Sequence, residues 1–300
     1  MRIDTAVTFA EKVGKHLFVF AAVILLWEGA GRAGLIDTIL LPQPLEIAQG
    51  LWKLYVVDRT IYWHFAVTFY EAFGGFLIGG GIGLALAVGS ALNANIRRYV
   101  SPYAIVLNVT PGLALTPIVI AWFGFGYASK IALGAIVCFF PVFVNTLIAL
   151  TRVDEETIEM FRSLGASRWQ TFLKLQVPEA LPLVFAGFKI AITTALVGAV
   201  VAEFSQGTAG IGVLMQRYAF ALQMDNAIAA LLSMSLLGLL LFYLIEILDD
   251  RIVFWRRDAR MAAVSRRRQA RWTARATPQT LRPTTQKHQE ETACATRRAS

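Results

Sequence analysis

The chain has 300 residues, of which 56% are hydrophobic and only 16% charged, and its mean hydropathy is +0.57. A soluble domain of this length carries roughly a quarter charged residues, so an ordinary globular class is excluded and the apolar excess must face lipid. The formal charge of +8 does not mark a nucleic-acid binder, because 13 of the 28 basic residues follow Asp250 and most others lie in loops between apolar segments.

Six apolar segments are expected to span a membrane, at about 14–31, 65–92, 101–124, 130–150, 181–203 and 227–248, each near the length of about twenty residues that a bilayer requires. The first is not read as a cleaved signal peptide, because Gly29-Ala-Gly-Arg32 offers no clear small-x-small site. The connection from 32 to 64 holds Pro42, Pro44, Trp52, Tyr55, Tyr62 and Trp63, a composition expected along the membrane interface. In the second segment Gly75, Gly79 and Gly83 recur every fourth residue, a face on which another helix approaches closely. The third segment carries Asn108, Thr110, Pro111, Gly112, Thr116 and Pro117. Two prolines free backbone carbonyls, so this is either the wall of a solute pathway or a kink whose polar groups bond internally. Asn145 in the fourth segment is expected to make an interhelical hydrogen bond rather than touch solute.

The stretch from Asp154 to Pro182 is polar but ordered. Glu159 and Arg162 are placed to pair on one helix face. Gly165 then stands where a helix end needs positive φ. Ser167 and Gln170 form a capping-box pattern that starts a second helix, expected to stop at about Gln176 because Pro178 disfavours continuation. Ile158, Phe161, Leu164, Trp169, Phe172 and Leu173 give both helices an apolar edge suited to docking. In the fifth segment Lys189 is expected to snorkel or to line a polar cavity. Glu203, at its outer end, is either a gate or an anchor for the turn from Gly207 to Gly212. From about Arg256 the composition shifts to Arg, Thr, Gln and Ala, a basic tail expected to be disordered, either an incidental solvated extension or held against anionic lipid.

No catalytic constellation is present. His16, His64 and His288 are isolated, no phosphate-binding loop or nucleophile elbow occurs, and Cys138 and Cys294 imply neither a disulfide framework nor a metal site. No cofactor and no metal is expected.

The polar stretch resembles the coupling motif of binding-protein-dependent ABC importer permeases, whose pattern is E-A-A, three residues, Gly, nine residues, an aliphatic, one residue, then Leu-Pro. Glu159 takes the acidic position, Gly165 the glycine, Leu175 the aliphatic and Val177-Pro178 the end, while Met160-Phe161 replace the alanine pair. Ser163-Leu-Gly-Ala-Ser-Arg168, Pro178-Glu-Ala-Leu-Pro182, Val201-Ala-Glu203, Leu41-Pro-Gln-Pro44 and Trp122-Phe-Gly-Phe-Gly126 resemble the subfamily that imports nitrate, sulfonates, taurine and thiamine precursors. The resemblance covers about residues 15 to 257.

It implies an all-α integral membrane protein of the type I importer class, with no ATPase activity of its own. The implied partners are a second copy of the chain, two cytoplasmic ABC ATPase subunits and an external solute-binding protein. Glu159, Arg162, Gly165, Ala166, Ser167 and Pro178 would couple to the ATPase, and Asn108, Thr110, Thr116, Asn145 and Glu203 are candidates for the pathway or its gate. Basic residues favour cytoplasmic termini, with about 22 inside against about five outside, in a bacterial inner membrane. The expected organisation is a cytoplasmic 1–13, a transmembrane 14–255 and the tail 256–300. The rival is a secondary transporter or channel, which would need coupling charges from among Glu28, Glu71, Lys189 and Glu203.

Overall fold

The computed structural model describes residues 3–35, 37 and 40–255, so the expected basic tail 256–300 lies outside the described residues. The described chain runs through α1 (Ile3–Arg32), α2 (Pro44–Trp52), α3 (Ile61–Leu92), α4 (Ala94–Val109), α5 (Gly112–Phe123) and α6 (Tyr127–Thr151). It continues through α7 (Glu155–Ser163), α8 (Arg168–Thr171), α9 (Val177–Gln206), α10 (Ile211–Phe220) and α11 (Met224–Ile252). A π-helical turn follows α2 at Lys53–Val57, and another joins α8 to α9 at Phe172–Gln176. The chain divides into a unit Met1–Asp250 and a second, Arg251–Ser300. In the second, Phe254 meets Trp255 edge to face at 5.3 Å.

Among the described residues, four helices are long and apolar enough to cross a membrane: α3, α6, the run Arg168–Ser205 that includes α9, and α11. Counting the pair α4 and α5 as one broken span makes five, where the sequence pattern suggests six. The third segment does not continue as one rod, because Thr110 and Pro111 are extended (ψ 122° for both) and the chain bends by 109° there. Pro111 cannot donate a backbone hydrogen bond and biases Thr110 away from the helical region. The first segment lies within α1, which starts already at Ile3 and meets α2 through its last turn, where Glu28 accepts from the Leu45 amide at 3.2 Å.

Small residues set the core. A Cβ placed on Gly75 would stand 3.0 Å from the Ile131 carbonyl oxygen, and one on Gly83 would stand 2.7 Å from that of Phe139. The contacts advance together along both helices, so α3 and α6 run parallel. Gly198 faces Gly134 while Gly187 faces Asn145, so α9 runs antiparallel to both. With α3 parallel to α6, the broken pair α4 and α5 must return the chain across the layer rather than dip in and out. Gly112, at the break, packs on Val137 near the middle of α6, so the interruption sits at about mid-depth. Two of the charges that the rival reading required are engaged. Glu28 pairs with Arg32 at 2.8 Å, and Lys189 meets Glu246 and, at 2.6 Å, Asp249, so it ties α9 to α11 instead of snorkelling.

Candidate functional site: a docking helix pair and a buried polar cluster

The candidate docking segment sits at the end of the bundle where α3 and α6 finish. Its first helix, α7, opens after Asp154, whose carboxylate accepts from the Thr157 hydroxyl at 3.4 Å. It closes on Gly165 with φ +82°: the Gly165 amide donates to the Arg162 carbonyl at 2.9 Å and the Ala166 amide to that of Phe161 at 3.1 Å. This double bond satisfies carbonyls that a helix end leaves open, and it needs a left-handed residue at its centre. The second helix starts on the expected box, with the Ser167 amide donating to Gln170 Oε1 at 2.8 Å and the Gln170 amide to Ser167 Oγ at 3.2 Å. Local chemistry alone therefore turns the chain between α7 and α8. Leu164 is 79% exposed and Trp169 58%, with Met160 and Leu173 also open, while Phe172 is buried against Leu150, Ala180 and Val184. One side of the helix pair is thus rooted in the bundle and the other presents bare apolar surface.

Two expectations about this segment change. No ion pair joins Glu159 to Arg162 among the described residues, both being exposed, where solvation and side-chain entropy offset a three-apart attraction. Nor does the second helix stop at Gln176. The π turn Phe172–Gln176 leads straight into Val177–Pro178, which form the first positions of α9. Proline is tolerated there because the wider turn accommodates both its missing amide hydrogen and its ring. The result is one helical rod from Arg168 to Ser205, 38 residues long.

At the far end of that rod stands Glu203, fully buried. Four consecutive residues of the following turn are held by four side chains. The Ala209 carbonyl accepts from Lys130 Nζ at 3.2 Å, and the Gly210 amide donates to His64 Nδ1 at 2.9 Å. The Ile211 amide donates to Thr68 Oγ1 at 2.8 Å, and the Gly212 amide to Glu203 Oε2 at 2.6 Å. Thr68 in turn donates to Glu203 Oε1 at 2.6 Å, and Lys130 pairs with the buried Glu71 at 2.8 Å. These amides open α10, so the carboxylate also meets the positive end of its helix dipole. Gly210 has φ +128°, and a Cβ on Gly212 would stand 2.6 Å from Glu203 Oε2, so the turn wraps the carboxylate as closely as glycine permits.

The other pathway candidates are not gathered with Glu203. Asn108 is exposed on α4, and the Thr110 hydroxyl bonds the Val106 carbonyl at 2.8 Å beside the break. Thr116 is buried, its hydroxyl 3.4 Å from the Gly112 carbonyl of its own helix. Asn145 Nδ2 donates to the Pro141 carbonyl at 2.8 Å, so its bond is within α6, not between helices. Lys130, Thr68 and His64 carry no role that the sequence alone assigns. A lysine at the very start of an apolar segment is itself a signal that a partner awaits it, but nothing local names that partner.

A family model described as binding-protein-dependent transport system inner membrane component matches residues 79–254. The chain is 30% identical over 242 residues to the putative aliphatic sulfonates transport permease protein SsuC of Bacillus subtilis, covering 81% of this chain and 87% of that one. It is also 30% identical over 234 residues to the riboflavin transport system permease protein RibX of Chloroflexus aurantiacus, covering 78% and 87% of the two chains. Among solved structures, a chain of the MetNI methionine ABC transporter in an inward-facing conformation matches with TM-score 0.50 and 26% identity. That match covers 67% of this chain and 96% of that one.

Proposed function

The chain belongs to the binding-protein-dependent transport system inner membrane component family, and from that premise we propose that two copies of it form the pore of an importer. It is a multi-pass permease of an ABC transporter, its ATPase is a separate subunit, and an ATPase and a binding protein are its partners. Two cytoplasmic ATPase subunits dock on the helix pair α7 and α8, one on each copy. The observation that carries this reading is the bare apolar edge of that pair on a helix continuous with a membrane span. A docked subunit then pushes on a rod instead of a flexible loop, so its rigid-body motion reaches the spans. The break at Thr110–Pro111, at mid-depth and next to the exposed Asn108, is the proposed wall of the solute pathway; irregular backbone at that depth is tolerated where it lines protein or a water-filled cavity.

Affinity capture of the chain from membranes, made in cells that also carry its neighbouring subunits, is expected to bring down a soluble ATP-hydrolysing protein. Capture of the permease in good yield with no such protein would overturn the proposed docking on α7 and α8.

The proposed orientation has both termini in the cytoplasm. With Cys294 replaced, a membrane-impermeant maleimide added to intact cells should label a cysteine at Arg59 and leave cysteines at Ser167 and Ser300 untouched. Labelling at Ser167 would overturn the orientation and the docking together.

The cargo proposed is a small compound of the nitrate, sulfonate, taurine and thiamine-precursor group, a reading supported by the likeness to SsuC. Presenting the cognate binding protein with taurine, an alkanesulfonate, nitrate, a thiamine precursor and riboflavin tests it. Retention of riboflavin alone would move the cargo to the class named for RibX.

A further inference from the structure

Resting on the importer reading, we propose that Glu203 is a positioning residue of an outer latch, which fastens the turn Ala209–Gly212 across the ends of α3 and α6 and is reached by ATPase motion through the rod Arg168–Ser205. Three observations combine. First, each residue of the turn is held by a side chain of a different register or helix: Lys130 from α6, His64 and Thr68 from α3, and Glu203 from α9. The turn is thus the point where three spans are tied to one another and to α10.

Second, the tie is built from charged and hydroxyl groups removed from solvent. Glu71, Thr68 and Glu203 are all fully buried, and Lys130 is nearly so. Such a cluster is a poor source of net stability compared with an apolar one, since desolvation offsets its attraction. What it does supply is an all-or-none geometry: its bonds are short and directional, and losing one leaves a buried group without a partner. Interfaces with that property have two arrangements rather than a continuum, which is what a gate requires.

Third, Glu203 and the ATPase dock lie on the same helix. From the cap at Ser167 to Glu203 the rod spans about 50 Å, with the π turn as its interruption near the docking end. A tilt imposed at α8 therefore arrives at Glu203 without passing through a loop. Closing of the ATPase dimer draws Glu203 away from the Gly212 amide and Thr68, freeing the turn; reopening restores the bonds.

The test uses the complete complex in proteoliposomes, with membrane level and ATPase association measured first. Two variants attack the latch from opposite sides. Glu203→Gln keeps the shape but replaces one accepting oxygen by a donor, whereas Gly212→Ala keeps the carboxyl group and forces the turn off it. Both are expected to raise ATP hydrolysis without binding protein by about tenfold, the factor for losing one buried hydrogen bond, and to lower uptake per ATP. Thr68→Ser, which keeps the hydroxyl, should remain within about twofold of the parent.

Amide hydrogen exchange over 207–212 supplies a readout independent of folding yield. In the unmodified complex, exchange should accelerate on trapping with a nonhydrolysable nucleotide. Nucleotide-insensitive exchange there would overturn the latch, as would parental hydrolysis and uptake in Glu203→Gln. If the unmodified permease captured no ATPase at all, the proposed docking on which the latch rests would fall, and that outcome is separable from either of these.

Discussion

Replacing Gly79 by Leu is expected to abolish accumulation of folded permease. A Cβ at this position would stand 2.7 Å from both Ala135 Cα and Cys138 Sγ, with the Ala135 carbonyl oxygen closer still. Those are backbone atoms of α6 or a buried side chain on it, so no rotamer change relieves the overlap. The two parallel helices must separate, and the close packing that holds membrane helices together in the absence of a hydrophobic drive is lost along the seam. Overpacking of this kind costs about 3 kcal/mol or more. Even Gly79→Ala should lower the yield. The control is Gly81→Leu two positions on, where a Cβ meets nothing within 4 Å; it should accumulate normally. The measurement is the monodisperse fraction after detergent extraction, and a normal yield of Gly79→Leu would show that this face does not pack on α6.

Gly165→Val should give the opposite profile, with normal membrane insertion and failed coupling. A Cβ at Gly165 meets nothing within 4 Å, so the space is open and the whole penalty is the φ of +82°. Holding a β-branched residue there costs on the order of 1–3 kcal/mol, and the cheaper response is to give up the double cap on the Arg162 and Phe161 carbonyls. The last turn of α7 then frays, and Leu164 and Met160 no longer present one surface with Trp169. ATPase capture is expected to fall by about ten- to a hundredfold, and uptake with it. Gly165→Asn should retain most of both, because asparagine tolerates the left-handed region. Glu159→Lys should act in the same direction as valine, since it sets two cations three apart on the docking face. Full capture and full uptake by Gly165→Val would reduce the segment to an ordinary loop and overturn the docking proposal for α7 and α8.

The features legible in the sequence are those set by near neighbours. The Ser167–Gln170 box, the glycine end of α7 and the small-residue face of α3 each depend on residues at most four apart along a helix. Backbone chemistry at such spacing is nearly independent of the rest of the protein. The apolar segments are equally local, because the bilayer acts on each span separately. That is why the family resemblance and the proposed docking segment are both legible in the sequence alone.

Tertiary structure decided the rest. Glu203 bonds Thr68 across 135 residues of sequence and Lys130 bonds Glu71 across 59. A buried charge demands a partner, so Lys130 and Glu203 announced a need, but only the parallel packing of α3 on α6 and the antiparallel α9 packed against both supplied the identity of each partner. Proline shows the same division twice. Pro111 breaks its span by 109°, while Pro178 lies inside a continuous 38-residue rod. The residue type removes one hydrogen bond in both cases; whether the chain bends there or runs on is settled by the π turn before Pro178 and by the helices packed against each segment.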